Sequence, residues 1–255
     1  MPKILFFDIE TSPILGYVWS IWNQNIGLNQ INQDWHILSF AAKWRGSSKI
    51  IYFDQRGEKS ISNDKSLCEK LWKLIDEADV VVTQNGDKFD IKKINSRFVI
   101  HGLKPPSSFK SIDTVKIARN KFGFTSNKLE YLSSALGLKE KKSKHSEFPG
   151  FDLWLECLKG NKKAWKEMEK YNIQDVLALE RLWEKLDPWA KTVNATLYNK
   201  DLSFSCICGS KEYILNGLQY KSTGIFKRYK CKKCGKAYEG ATNLINKKDK
   251  KKLIK

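Results

Sequence analysis

The sequence predicts an α/β domain followed by a small module held together by cysteines. Five short runs rich in Val, Ile, Leu and aromatic residues alternate with segments whose apolar residues recur at helical spacing. The C-terminal part loses that pattern and instead carries four cysteines in two close pairs, Cys206/Cys208 and Cys231/Cys234. With 255 residues, 41% hydrophobic and 12% aromatic, the chain can build one medium core plus a small unit, and it is too apolar to be disordered throughout.

The first run, Lys3 to Phe7, has the length and aromatic content of a strand buried on both faces, and it leads into Asp8-Ile9-Glu10-Thr11. Residues 12–35 show no periodicity and carry Trp19 and Trp22. His36 to Trp44 and Lys49 to Phe53 read as strands joined by an Arg45-Gly46-Ser47-Ser48 hairpin turn. Asp64 is placed to cap a helix reaching Ala78, with Leu67, Leu71, Leu74 and Ile75 on one face. Asp79 to Thr83 is a further buried strand, which turns at Gln84-Asn85-Gly86 into a helix from Asp87 to His101, stopped by Gly102. Phe109 to Asp113 reads as a short edge strand and Val115 to Lys121 as a helix. Asn127 is placed to cap the next helix, which Gly137 closes. A charged loop at 139–150 and a short helix at Leu153 to Leu158 precede a long helix from Lys162 to Leu186, with Pro188 as its stop. Cys68 and Cys157 read as packing thiols within helices.

A net charge of +18 points to a polyanionic partner, nucleic acid first, with a merely solvated lysine-rich surface as the other explanation. No apolar run approaches a membrane span, and the chain enters a strand at once, so no membrane association and no signal peptide are expected. The expected location is cytoplasmic, in a nucleoid or viral replication context, and the cysteines are then thiols or metal ligands before disulfides.

Alternate side chains of a strand point to opposite faces, so Asp8 and Glu10 point together with Ile9 behind them. Two adjacent carboxylates at the end of a buried strand repel one another, and a hard divalent cation such as Mg2+ or Mn2+ removes that cost. A strand simply reaching solvent would show the same pair. Tyr171 and Asp175, four residues apart, share one face of the long helix beside its apolar stripe, where an acid needs a partner.

The segments FFDIETSP, TQNGDKFDIKKINSR and YNIQDVLAL, in that order, resemble the three exonuclease motifs of the DnaQ-like DEDD superfamily. The tyrosine four residues before the last aspartate is similar to the DEDDy branch; the DEDDh branch has a histidine where Lys170 stands here. Among these, the proofreading 3′–5′ exonuclease domains of family B DNA polymerases are the most similar in their second motif, and KLEYLSSALGL resembles their helix before the third. The resemblance covers roughly residues 1–190 and implies a ribonuclease H-like mixed five-stranded sheet flanked by helices. It implies that Asp8, Glu10, Asp90 and Asp175 hold two Mg2+ or Mn2+ ions and that Tyr171 orients the attacking water. Thr11, Asn85, Phe89 and Arg97 are implied near the terminal nucleotide, Phe89 being equally a core candidate. His145, in the charged loop, is read as solvated.

Four cysteines in two pairs separated by a hairpin, Tyr213 to Tyr229, fit a tetrahedral structural Zn2+ site, here a zinc ribbon with Cys206, Cys208, Cys231 and Cys234 as ligands. Redox chemistry and an iron–sulfur centre are the other uses of such a set. The first pair is C-x-C, a departure from the usual C-x-x-C knuckle. Lys221, Lys227, Arg228, Lys230, Lys232, Lys233 and Lys236 interleave with Tyr220, Phe226 and Tyr229, a mix suited to phosphate contact with base stacking. The expected organisation is an exonuclease domain at 1–195, a zinc ribbon at 200–242 and a disordered basic tail at 243–255.

These readings together imply a stand-alone metal-dependent 3′–5′ exonuclease acting on single-stranded ends, DNA ahead of RNA, with a replication or repair protein as a further partner, since no polymerase domain follows. An RNA 3′-end exonuclease, a structure-specific nuclease, and an inactive nucleic-acid-binding protein of the same fold are the alternatives.

Overall fold

The computed structural model describes residues 1–139, 145, 147–190, 192–198 and 203–252. In chain order, strand β1 (Ile4–Thr11) is followed by a short pair, β2 (Leu15–Gly16) and β3 (Ile31–Gln33), then by β4 (Ile37–Trp44) and β5 (Ile50–Asp54). Helix α1 (Lys65–Glu77), β6 (Val80–Thr83), α2 (Asp90–Ile100), β7 (Lys110–Asp113), α3 (Thr114–Lys121), α4 (Leu129–Ala135), α5 (Asp152–Leu158) and α6 (Lys162–Ala190) come next. The C-terminal part has β8 (Tyr213–Lys221), β9 (Gly224–Cys231), β10 (Ala237–Asn243) and α7 (Lys247–Lys250). By density of contacts the chain divides into two compact units, Lys3–Trp183 and the remainder.

In the larger unit β1 is the middle strand of a five-stranded sheet ordered β5-β4-β1-β6-β7. It runs antiparallel to β4 and parallel to β6, so the sheet is mixed, as expected. Side-chain alternation sorts β1 between two helical layers. Leu5, Phe7 and Ile9 pack with Leu67, Leu71 and Ile75 of α1 and Ile94 and Phe98 of α2. On the other face Phe6 meets Trp183 of α6 edge to face, with ring centroids 5.5 Å apart. Beside them Lys43 of β4 and Glu180 of α6 form a buried ion pair at 2.6 Å. A buried pair of this kind contributes little net stability, but leaving either charge without the other is costly.

Several expected details change. Helix α6 passes through Pro188 to Ala190: only its last turn lacks the N–H that proline removes, and an unmade bond there is cheap. Helix α2 begins at Asp90, because Asn85 takes a left-handed φ of 65° and Gly86 closes the turn. A Cβ on Gly86 would stand 2.1 Å from Thr83 Oγ1, so that turn requires glycine. Asp64 and Asn127 do not cap helices α1 and α4 with their side chains. Residues 247–250, expected disordered, form a single helical turn capped by Asn246, which accepts a 2.8 Å hydrogen bond from the Asp249 N–H. The expected loop at 139–150 lies partly outside the described residues. Among the described residues no helix is long and apolar enough to cross a membrane.

Candidate active site

Strand β1 and helix α6 bring Asp8, Glu10 and Asp175 together, with carboxylate oxygens all within 4.8 Å of one another. Asn172, one turn before Asp175, holds this arrangement. Its Nδ2 donates to Asp8 Oδ2 at 2.8 Å and to the Asp8 carbonyl at 3.2 Å, while its Oδ1 accepts from the Ser39 hydroxyl. One buried amide thus ties β1, β4 and α6 at the carboxylates. The β1–β4 register shifts between Glu10 and Thr11, and such a bulge re-aims the side chains beside it.

Asp90, the first residue of α2, lies outside that three-carboxylate cluster. Its Oδ1 accepts a 3.2 Å hydrogen bond from the N–H of Ile9, the residue between Asp8 and Glu10. Burial pushes its carboxyl up to about 7, with the nearby Asp113 adding to the shift against the Ile9 amide and its own N–H. Asp113 itself caps α3, accepting from Val115 N–H at 2.9 Å and from Asn85 N–H at 2.8 Å.

A cleft of about 610 Å³ opens over Asp8 and Asp175, lined also by Asn85, Arg119, Asn127 and Lys128. Arg119, Asn127 and Lys128 were not expected there; Arg119 lies in the last turn of α3 and the other two directly precede α4, and no local pattern marks them. Asn172 was legible inside the third motif, three residues before Asp175 on the same helix face. Tyr171 is buried, with its ring edge to face against His145 at 5.2 Å and Trp154 at 6.0 Å. His145 is therefore not the solvated loop residue expected: it packs on Tyr171, and its Nδ1–H donates to the Phe148 carbonyl at 2.7 Å.

The remaining expected contacts divide. Asn85 lines the cleft, and Thr11 is half-buried at the end of β1. Phe89 is 40% exposed and so is not a core residue. Arg97 is placed elsewhere: it is buried and forks onto Asp64, Nε to Oδ2 at 2.8 Å. Asp64 also accepts from the Ile37 N–H and from His101. Burial alone would raise the Asp64 carboxyl, but Arg97, the Ile37 amide and His101 hold it below the usual range. Arg97 is thereby spent on joining α1, α2 and β4.

In the smaller unit the four sulfurs of Cys206, Cys208, Cys231 and Cys234 lie within 4.8 Å of one another. Two separations are 3.3 Å (Cys206–Cys234) and 3.7 Å (Cys208–Cys231), near the edge of about 3.8 Å that a Zn–S distance of about 2.3 Å gives a tetrahedron. Both pairs turn on glycines with positive φ, Gly209 and Gly235, and the C-x-C pair closes with Gly209 N–H to the Cys206 carbonyl at 2.8 Å. Burial opposes ionisation of Cys231, yet the N–H groups of Cys234 and Lys233 hold its thiol down to about 7. Tyr238 donates to the Cys206 sulfur at 2.8 Å. The donor set, its spacing and these amides fit a thiolate-bound ion.

The ribbon has a third strand, β10, beyond the expected hairpin. The β8–β9 register puts Lys221, Phe226, Arg228 and Lys230 on one face and Tyr220, Lys227 and Tyr229 on the other. Lys236 leaves the basic surface altogether: it is 0% exposed and pairs with Asp187 at 2.7 Å.

Residues 5–187 match the model of the RNase_H superfamily. The structure is similar to that of the family B DNA polymerase from the hyperthermophilic archaeon Pyrobaculum calidifontis, with 16% sequence identity and a TM-score of 0.52. The match covers 74% of this chain and 25% of the polymerase, so the chain spans about a quarter of that protein's length. No curated protein matches the sequence.

Proposed function

The chain belongs to the RNase H superfamily, and from that premise we propose that it is a metal-dependent 3′–5′ exonuclease of the DEDDy type that shortens single-stranded nucleic acid, DNA ahead of RNA. The observation that carries this reading is the convergence of Asp8, Glu10 and Asp175 beside a cleft edged with cations. Three carboxylates so close repel unless a cation lies among them, and Asp90, hydrogen-bonded to the Ile9 N–H on β1, adds a fourth whose charged form burial makes costly. An all-oxygen set suits Mg2+ or Mn2+, and these four residues would hold two ions, which when bound activate water and steady the leaving oxygen of a phosphodiester.

The chain's own residues do the rest. Asn172 holds the Asp8 carboxylate in place through its 2.8 Å hydrogen bond. Tyr171, packed between His145 and Trp154, is held to one ring orientation from which its hydroxyl orients the attacking water. Arg119 and Lys128, which line the cleft, meet the phosphates, while Asn85 of the cleft and Thr11 at the end of β1 meet the terminal nucleotide. In the smaller unit the four cysteines hold one structural Zn2+, and the face with Lys221, Phe226, Arg228 and Lys230 grips the strand by phosphate contact and stacking.

The test is a time course with Mg2+ or Mn2+ on matched DNA and RNA oligonucleotides labelled at the 5′ end. A ladder that shortens one nucleotide at a time, absent with the Asp8→Ala protein, is expected, and the faster polymer names the substrate. Binding without cleavage of either polymer would make the protein an inactive member of the fold; cleavage of a circular substrate would make it an endonuclease.

A further inference from the structure

Between the carboxylate strand and β4 the chain makes an excursion that the catalytic reading leaves unused. From Thr11 to Gln33 it contains no Asp, Glu, Lys, Arg or His, in a chain that is 29% charged. The excursion is built, not loose. Ser12 and His36 close its base, with Ser12 N–H on the His36 carbonyl and His36 N–H on Ser12 Oγ, both at 2.9 Å. Further out, Gln30 braces the arms: its Nε2 donates to the Tyr17 carbonyl and its Oε1 accepts from the Gly27 N–H, each at 2.9 Å. Beyond this brace the chain turns at Asn23, whose φ is 49°. There it presents Trp19, 98% exposed, and Trp22, 75% exposed, with Tyr17 at 70%. Large aromatic side chains are rarely left so bare, and a cluster of them marks a surface that something covers.

We infer that this arch is a base-stacking platform for single-stranded nucleic acid, an inference that rests on the exonuclease reading. Its base joins β1 directly after Glu10 and Thr11, and Trp19 stands nine positions after Glu10, within about 32 Å by the reach of an extended chain. The excess of positive charge elsewhere attracts phosphates without regard to sequence or base. An uncharged surface, on which Ile21 and Leu28 are exposed beside the indoles and amides, has no cation to offer a phosphate, but it matches unpaired bases: apolar side chains and rings for their faces, and Asn23, Gln24 and Asn25 for their edges. A membrane-binding segment would call for cations interleaved with its tryptophans, and residues 11–33 carry none.

The experiment uses the full chain and measures dissociation constants for single-stranded DNA and RNA of about 20 nucleotides, without added divalent ion, across a salt series. Replacing both residues, Trp19→Ala with Trp22→Ala, is expected to weaken binding of the preferred polymer about tenfold or more. The slope of log K against log salt should stay the same, because no phosphate contact is lost. The paired Trp→Phe protein should keep most of the affinity. Unchanged binding of both polymers by the alanine protein would overturn the inference and leave the arch to a protein partner. A shallower slope, or a phenylalanine protein as weak as the alanine one, would overturn it equally. Hydrolysis of a nitrophenyl ester of a mononucleotide by the parent chain, with Mn2+, tests the exonuclease reading separately: failure there leaves the binding comparison to decide the arch.

Discussion

Residues 3–183 and residues 184–252 are held together by different things. In the larger unit β1, β4 and β6 bury Ile, Leu, Phe, Ala and Val between two helical layers. The carboxylates sit at the end of a strand that this core already secures. In the smaller unit β8 is exposed along nearly its whole length, and among its most buried groups are Cys206, Ile207, Cys231 and the Lys236–Asp187 pair. A three-stranded sheet with so little apolar burial does not stabilise itself. On the function proposed above, metal would be a reagent in one unit and a structural member in the other.

The largest expected effect follows from that contrast. Stripping the zinc, or replacing Cys231 with Ser, should unfold the ribbon outright, since binding energy in such a module is folding energy. Hydrogen exchange checks this: amides of β8, β9 and β10 should lose protection while those of β1 and β6 keep theirs. Protection that survives in β9 without metal would mean that the aromatic contacts around Phe204, Tyr213 and Tyr238 suffice, and the contrast would fail.

Removing a carboxylate should do the reverse. Asp8→Ala or Asp175→Ala should cut the cleavage rate by a factor on the order of 10³ or more while thermal unfolding of the larger unit barely moves. Tyr171→Phe, which keeps the ring packed on His145 and Trp154, should lower the rate by a smaller factor, about tenfold to a hundredfold, with metal affinity unchanged. Steady-state kinetics with a metal titration separates the two.

How far each unit was legible in the sequence follows from the same physics. The central strands β1, β4 and β6 announce themselves as apolar runs, because burial on both faces leaves little room for polar residues. Asp8, Glu10 and Asp175 were legible because strand and helix periods fix which way they point. The turn at Asn85 and Gly86 shortened α2 through a left-handed residue that helical periodicity does not register. Arg97 was misread for a different reason: its partner Asp64 lies 33 positions away, and motif spacing is blind to an ion pair of that separation. Lys236 failed likewise, since Asp187 is 49 positions earlier. The cleft residues Arg119, Asn127 and Lys128 meet Asp8 only in three dimensions. In the ribbon the cysteines were plain, but the bulge that sorts its cations between faces lies near Asn216 and Gly217 and appears only in the register.

Each unit also buries one lysine or arginine against an aspartate, and the pairs sharpen the comparison. Arg97–Asp64 sits within a large core, whereas Lys236–Asp187 is a substantial part of what the ribbon buries. Lys236→Met leaves Asp187 buried with an uncompensated charge, and the Thr192 hydroxyl as its remaining partner does not neutralise it. Losing one member of such a pair costs about 3–5 kcal/mol. With zinc bound, that should loosen the ribbon and raise the metal concentration it needs to fold, whereas Arg97→Met should lower the unfolding temperature of the larger unit with no effect on metal retention by the ribbon. The double change Lys236→Met with Asp187→Leu should recover most of the loss; no recovery would mean that the lysine contributes by more than charge.

The smallest effect discriminates between the two faces of the ribbon. Lys230 shares a face with Lys221, Phe226 and Arg228, and Lys227 points to the opposite one, where Tyr213 and Tyr229 pack edge to face. If the basic face grips the strand, Lys230→Ala removes one phosphate contact. It should weaken binding only a few-fold, uniformly across sequences, and should reduce the slope of log K against log salt by about one. Lys227→Ala, equal in charge removed and on the same strand, should leave both quantities nearly unchanged. Long-range attraction to the net charge would treat the two lysines alike, so equal losses in both proteins would assign the ribbon's contribution to charge in bulk, and a larger loss from Lys227 would move the strand to the aromatic face.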